Sequence, residues 1–260
     1  MGDLIIINLT QDIQGVQSTA IRYGHMAALI KYYCQHIFEG PLSILEIGSW
    51  VGASAITWGN SIKNLSPDGG TLFCIDPWSS LGIPNEIISS DGTKMRETCE
   101  KYDIFNIFQQ NISAANLNDI IIPVKGKSED ILPKLPNCSF DIVYIDGDHS
   151  PKPVLLDIIL SQEKIKDKGI ICGDDLEMQA YEVDQEEMYV GALSKVDYLK
   201  DSASGRAFHP GVTLGVSKIF DSVSVMDGFW FMQKVSEKWV KFEFPGASAP
   251  PEYISKHLNT

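Results

Sequence analysis

Helical and strand periods alternate along most of this 260-residue chain, and that alternation constrains its architecture more than any single motif does. Short apolar runs at 43–47, 71–75, 120–124, 140–145 and 169–172 suit strands covered on both faces, with helical stretches between them, notably 154–166. The pattern predicts an α/β fold around a mostly parallel sheet. An opening helix that Ser18 could cap carries Ile21, Met26, Leu29, Ile30, Tyr33 and Ile37 at three- and four-residue intervals, and Gly40-Pro41 stops it. After the fifth strand the period is lost. Residues 174–210 are acidic, polar and rich in Tyr and Met, too long for an ordinary connection, and are expected to form a lid at the strand end. Residues 212–220 read as a helix, Asp227-Gly228 joins 223–226 to 229–234 as a hairpin, and 239–244 reads as a further strand. The expected organisation is one domain: helical cap 1–40, core 41–173, lid 174–210, helix and hairpin 211–245, and a Pro/Ala/Ser tail 246–260 ordered by docking.

Several function classes are disfavoured at this stage. No apolar run approaches the ~20 residues of a membrane helix, and the early run 4–9 is broken by Asn8. A basic segment followed by an apolar stretch is missing at the start, and Ile6 stands where myristoylation needs Ser or Thr, so a cytoplasmic protein without membrane partners is expected. Five scattered cysteines, none in a C-x-x-C pair, argue against a disulfide framework or structural zinc. A net charge of -13 repels phosphate backbones, so nucleic acid is not expected as a partner. A homo-oligomer stays an open alternative.

The segment from Leu45 to Ser54 runs from a strand through a glycine turn into a helix. Gly48 and Gly52 let the backbone turn tightly beside a ligand, and the helix start offers free N–H groups. A dinucleotide site would need glycine where Trp50 stands, which disfavours NAD. Asp76 ends the second strand and is placed to accept the hydroxyls of a ribose, with Trp78 just beyond it.

With the acid Glu46, the two glycines and Asp76 in this order, the chain resembles the class I S-adenosylmethionine-dependent methyltransferases. The resemblance implies a Rossmann-like, doubly wound, seven-stranded sheet of order 3-2-1-4-5-7-6 with helices on both faces. It also implies a cofactor site of Glu46, Gly48, Ser49, Trp50, Gly52, Ser54, Asp76 and Trp78, with Lys127 and Ser128 near the adenine and Asp146 beside the cofactor. Residues 140–150, reading FDIVYIDGDHS, resemble strand four of a bacterial subfamily that methylates macrolide and aminocoumarin sugars. Gly173-Asp174-Asp175 and His209-Pro210-Gly211-Val212 continue the likeness, whereas Pro151-Lys152 depart from it. Neighbouring fourth and fifth strands would crowd Asp146, Asp174 and Asp175 together, so either one is protonated or a cation neutralises them; oxygen ligands suit Mg²⁺ or a similar divalent ion. His149 is a candidate general base, with Asp148 as the other. The implied reaction is O-methylation of a sugar, sugar nucleotide or glycosylated small molecule, with metal assistance. The alternatives are an α/β oxidoreductase or hydroxylase-like relative and a non-catalytic adenosyl-binding protein.

Overall fold

A computed structural model describes residues 19–37, 40–80 and 90–254. The run 4–9, the start Met1-Gly2 and the Ser18 cap lie outside these residues.

The apolar runs form strands where the sequence places them. β1 (Leu42–Ile47), β2 (Gly70–Asp76), β3 (Ile121–Lys125), β4 (Phe140–Ile145) and β5 (Ile165–Gly173) are parallel, with β1 between β2 and β4. β4 is buried at every position, as a central strand covered on both faces must be. β3 is largely exposed and carries Pro123, which a sheet tolerates at its edge because proline donates no ladder hydrogen bond. The helices α1 (Ala20–His36), α2 (Ala53–Leu65), α3 (Ser90–Lys101), α4 (Ile104–Ala114), α5 (Ser128–Ile131) and α6 (Pro151–Gln162) connect or cover them. α6 ends earlier than the expected 154–166, because Ile165 pairs with Phe140 and is fully buried at the start of β5.

Residues 174–210 are folded and packed. α7 (Gln185–Leu193) and the short pair β6 (Leu199–Lys200) and β7 (Ala207–Phe208) enclose a small core of their own, built on Met178, Val183, Met188, Ala192 and Phe208 with Leu214. Leu214 belongs to α8 (Pro210–Phe220), which leads to the hairpin β8 (Ser224–Met226) and β9 (Phe229–Val235). β9 runs antiparallel beside β5. The sheet order is β10-β9-β5-β4-β1-β2-β3, with β8 also on β9, so the sheet has eight strands where seven were expected. The extra one, β10 (Lys238–Val240), is shorter than the predicted 239–244, because Phe242 and Phe244 leave the sheet to pack on Phe231 and on Tyr32 of α1.

Two apolar layers lie on opposite faces of the sheet, one beneath α1 and α2 and the other beneath α6 and α8. Asp141 ties the lower edge. It is fully buried and accepts from the Ser43 N–H at 2.8 Å and the Lys166 ammonium at 2.9 Å. The tail docks on the first layer: Ile254 is fully buried, and the Tyr253 and Thr57 hydroxyls are hydrogen-bonded. All five cysteines are free, and Cys74 and Cys172 are buried in strands. No helix among the described residues is long and apolar enough to cross a membrane.

Candidate active site

The carboxyl ends of β1, β2, β4 and β5 open onto one cavity of about 390 Å³, within the range of small-molecule sites. At its floor the end of β1 presses against the end of β4. A Cβ at Gly48 would sit 1.9 Å from the Asp146 carbonyl oxygen, and φ is +88° there, so only glycine closes this contact. Trp50 also takes a positive φ, 45°. Asp76 holds it there: Oδ2 accepts from the Ser49 and Trp50 N–H groups at 3.0 and 2.9 Å, and Oδ1 from the Trp78 N–H at 2.6 Å. The Trp78 indole N–H donates to the Trp50 carbonyl at 2.6 Å, and its ring packs on Phe105 and Phe108. An ionised carboxylate offers about four lone-pair sites. Three are taken, so Asp76 has room for one ribose hydroxyl where the sequence suggested two.

Of the residues expected at the cofactor, Gly48, Ser49, Trp50, Ser54, Asp76, Trp78, Lys127, Ser128 and Asp146 line the cavity. Glu46 and Gly52 do not; they stand behind it and shape the turn. Glu46 is fully buried, accepts from the Ser49 hydroxyl at 2.6 Å and the Cys74 thiol at 3.3 Å, and is pushed up to about 7 by burial, against the pull of those bonds. Gly52, at φ +100°, lies where a Cβ would meet the Phe108 ring at 3.2 Å. One acid on the same wall gave no sequence signal. Asp157 of α6 is buried among apolar helix neighbours, lines the cavity near Ser128, and is pushed up to about 7 by burial.

At the other end the expected residues meet an unforeseen one. Arg22 of α1 is buried, and its guanidinium forks into the acidic cluster: Nη1 pairs with Asp174 and, at 3.0 Å, with Asp175, while Nη2 pairs with Glu177 at 2.6 Å. Burial opposes its charge, but the attraction of Asp174, Asp175 and Glu177 wins and raises its pKa. Asp175 in turn accepts from His149 Nε2 at 2.9 Å, and Asp197 of the 174–210 segment takes Nδ1 at 2.8 Å. A ring donating from both nitrogens is an imidazolium. Accordingly, burial disfavours the His149 charge but Asp175 and Asp197 overcome it and raise its pKa, while Asp175 is held far below the usual range. His209 Nδ1 is bound by Glu177 at 3.0 Å and lies 4.0 Å from Asp175, and its ring meets His149 edge-on with centroids 4.9 Å apart. Asp148 lines the cavity and accepts the Ser150 N–H ahead of α6.

The expected trio of carboxylates does crowd together, joined through Arg22 and the Tyr144 hydroxyl, but Asp174 has both oxygens engaged there. Asp174 is turned to Arg22 and to the Tyr144 hydroxyl. The ligand atoms of Asp146, His149 and Asp175 do lie within 4.8 Å of one another. That set contains an imidazole nitrogen and lies beside a guanidinium, a poor fit to the all-oxygen preference of Mg²⁺. Asp146 itself has a raised pKa, from burial first and then from Asp174 and Asp175.

A methyltransferase-domain family model matches residues 45–176, just over half of the chain, from β1 through the acidic pair after β5. The chain belongs to this methyltransferase family. The domain is that of a class I S-adenosylmethionine-dependent methyltransferase, as the resemblance implied. In sequence, the methyltransferase is similar to the uncharacterized protein R132 of Acanthamoeba polyphaga mimivirus, at 28% identity over 139 residues; the match spans 53% of this chain and only 52% of that protein. In structure it is similar to the O-methyltransferase NovP (TM-score 0.56, 16% identity, 83% of this chain and 80% of that one). It is also similar to cofactor-bound Rv0187 from MTB (0.52, 15%, 86% and 83%) and to a Bacillus cereus O-methyltransferase in complex with SAH (0.50, 17%, 84% and 82%). At these identities the likeness establishes the fold alone.

Proposed function

We propose that this methyltransferase transfers a methyl group to a hydroxyl oxygen of a carbohydrate-containing small molecule. The observation that carries the reading is His149, held between Asp175 and Asp197 on the wall of the cofactor cavity. S-adenosylmethionine supplies an electrophilic methyl on a sulfonium, and its leaving group is a neutral thioether. What the protein must add is orientation and a place for the hydroxyl proton. When an acceptor hydroxyl displaces Asp197 from Nδ1, the Nδ1 proton of the imidazolium leaves on the Asp197 carboxyl, and His149 keeps Nε2–H donated to Asp175, the tautomer in which Nδ1 accepts a proton. The new C–O bond forms as the S–C bond breaks, its electron pair stays on sulfur, and the hydroxyl proton passes to Nδ1. Asp197 and His209 flank His149, and Asp148 and Lys195 line the same cavity, a polar wall that suits an acceptor rich in hydroxyls.

The cavity wall carries more acids than bases, which favours a neutral glycosylated acceptor over a sugar nucleotide. Divalent-metal assistance is the finer part of the reading. An ion there would rest on Asp146 and Asp175 with His149, and His149 would then be unavailable as the base. The deciding experiment is a screen of glycosylated hydroxyl compounds, with S-adenosylhomocysteine release as the signal and EDTA in one arm. His149→Ala is expected to keep cofactor affinity and lose roughly 10²–10⁴ in turnover. A variant with unimpaired turnover removes His149 as the base, and activity lost in EDTA and restored by a divalent ion assigns the cluster to a metal.

A further inference from the structure

We propose that Arg22 is a positioning residue whose guanidinium acts as the built-in cation of the acceptor end, fixing Asp175 and Glu177 so that they fix His149 and His209. The inference rests on the methyl-transfer reading for its purpose, but its geometry stands alone. Two chains of contact leave one side chain: Arg22 to Asp175 to His149 to Asp197, and Arg22 to Glu177 to His209. The third carboxylate, Asp174, takes the same nitrogen and accepts from Tyr144 at 3.4 Å, so it too is oriented.

The surroundings are shaped around the guanidinium. Its Nε donates to the Asp227 carbonyl in the β8–β9 turn, and a Cβ at Gly228 would stand 2.1 Å from Nη2. The left-handed φ of +88° at Gly228 and the missing side chain together make room for Arg22. A planar fork is what three carboxylates from one strand end require; lysine, a point charge on a flexible stem, cannot bridge them in the same way. Three acids within reach of one another need a positive charge. Here α1 delivers it, and a divalent ion entering beside Asp175 would meet a guanidinium already in contact with that carboxylate.

The experiment uses the full chain in three forms: wild type, Arg22→Lys, and the paired variant Arg22→Gln with Asp174→Asn. The pair removes the guanidinium together with its most buried partner, while Asp175 and Glu177 keep His149 and His209 as partners. Calorimetry with S-adenosylmethionine comes first and reports on the methyltransferase reading by itself. Affinity is expected to stay within about twofold in all three, because the contacts that hold the cofactor turn, Asp76 with the Ser49, Trp50 and Trp78 N–H groups, do not involve Arg22 or Asp174. Histidine ring ¹⁵N–¹H spectra then report on the positioning. In both variants the signals of His149 and His209 are expected to move toward freely exchanging tautomers, with exposed His36 as the unmoved control. Lysine is expected not to rescue them. Mn²⁺ titration followed by electron paramagnetic resonance is expected to show no site in wild type. Unmoved His149 and His209 signals in both variants would overturn the proposal. So would one wild-type Mn²⁺ site lost in Asp175→Asn, since a metal would then be the organising cation.

Discussion

At Asp76 a single carboxylate serves both the protein and its ligand. Because it receives three backbone N–H groups from two turns, Asp76→Ala is expected to loosen the turns as well as weaken cofactor binding. Each charge-assisted bond contributes roughly 1.5–3 kcal/mol, so affinity by calorimetry is expected to fall at least tenfold and the melting temperature to fall with it. Binding within twofold of wild type would remove Asp76 from the site. Glu46 carries a separate, pH-linked prediction. Its folded pKa of about 7 exceeds the ordinary carboxylate value, so the folded state holds a proton that the unfolded chain releases. The stability due to that proton is complete below about pH 4.5, is lost as pH rises to 7, and is absent above. Glu46→Gln is expected to melt higher than wild type at pH 8 and to lose none of that difference up to pH 9. Equal melting temperatures at pH 8 would show that Glu46 is ionised in the fold without penalty.

Among the elements, the segment after β5 departs most from what its sequence suggested. Its apolar residues are few and irregularly spaced, so no period announces α7, yet Met188, Ala192 and Phe208 close a core that depends on Leu214 of α8. The segment is thus built like a small folded flap. Phe208→Ala is expected to speed amide exchange across Gln185–Leu193 while leaving β1 and β4 protected, at a cost of about 3–5 kcal/mol by urea unfolding. Exchange unchanged in α7 would show that the flap is held by its surface contacts instead. The strands at 43–47 and 140–145 were legible because their burial on both faces writes an unbroken apolar run into the chain. The cofactor turn was legible because its glycines and acid lie on consecutive strand ends. Arg22 was not, since its partner Asp174 is 152 positions away and nothing local distinguishes a buried arginine on an amphipathic helix. For the same reason Asp174 looked like a metal ligand until α1 was in place.

On the scale of the whole molecule, charge and chain closure act together. The net charge of -13 is expected to keep the protein from binding DNA at low salt, as read by its elution from an immobilised-DNA column; retention would reveal a local basic face. The last described residues contribute to stability out of proportion to their number, because Ile254 is fully buried against α1 and α2. Ile254→Ala is expected to cost about 2–5 kcal/mol in chemical denaturation, with cofactor affinity retained. A cost below 1 kcal/mol would mean that the tail rests on the surface.

The staple between tail and first helix also sets an order of events during synthesis. Gly24 packs against Ala247 and Ala249, the Ala247 N–H donates to His25, and Arg22 sits between them and the turn at Asp227. The strands that carry the cofactor turn are complete once residue 146 is made, since β1 pairs with β2 and with β4 and Gly48 closes on Asp146. The helix bearing Arg22 emerges earlier still, yet its guanidinium has no carboxylates to meet until residue 177 is made and no fixed seat until residue 249 has left the exit tunnel. The strand ends that frame the methyl donor are therefore synthesised before the residues that seat Arg22, so the acceptor end of the cavity is the last part of the site to be completed.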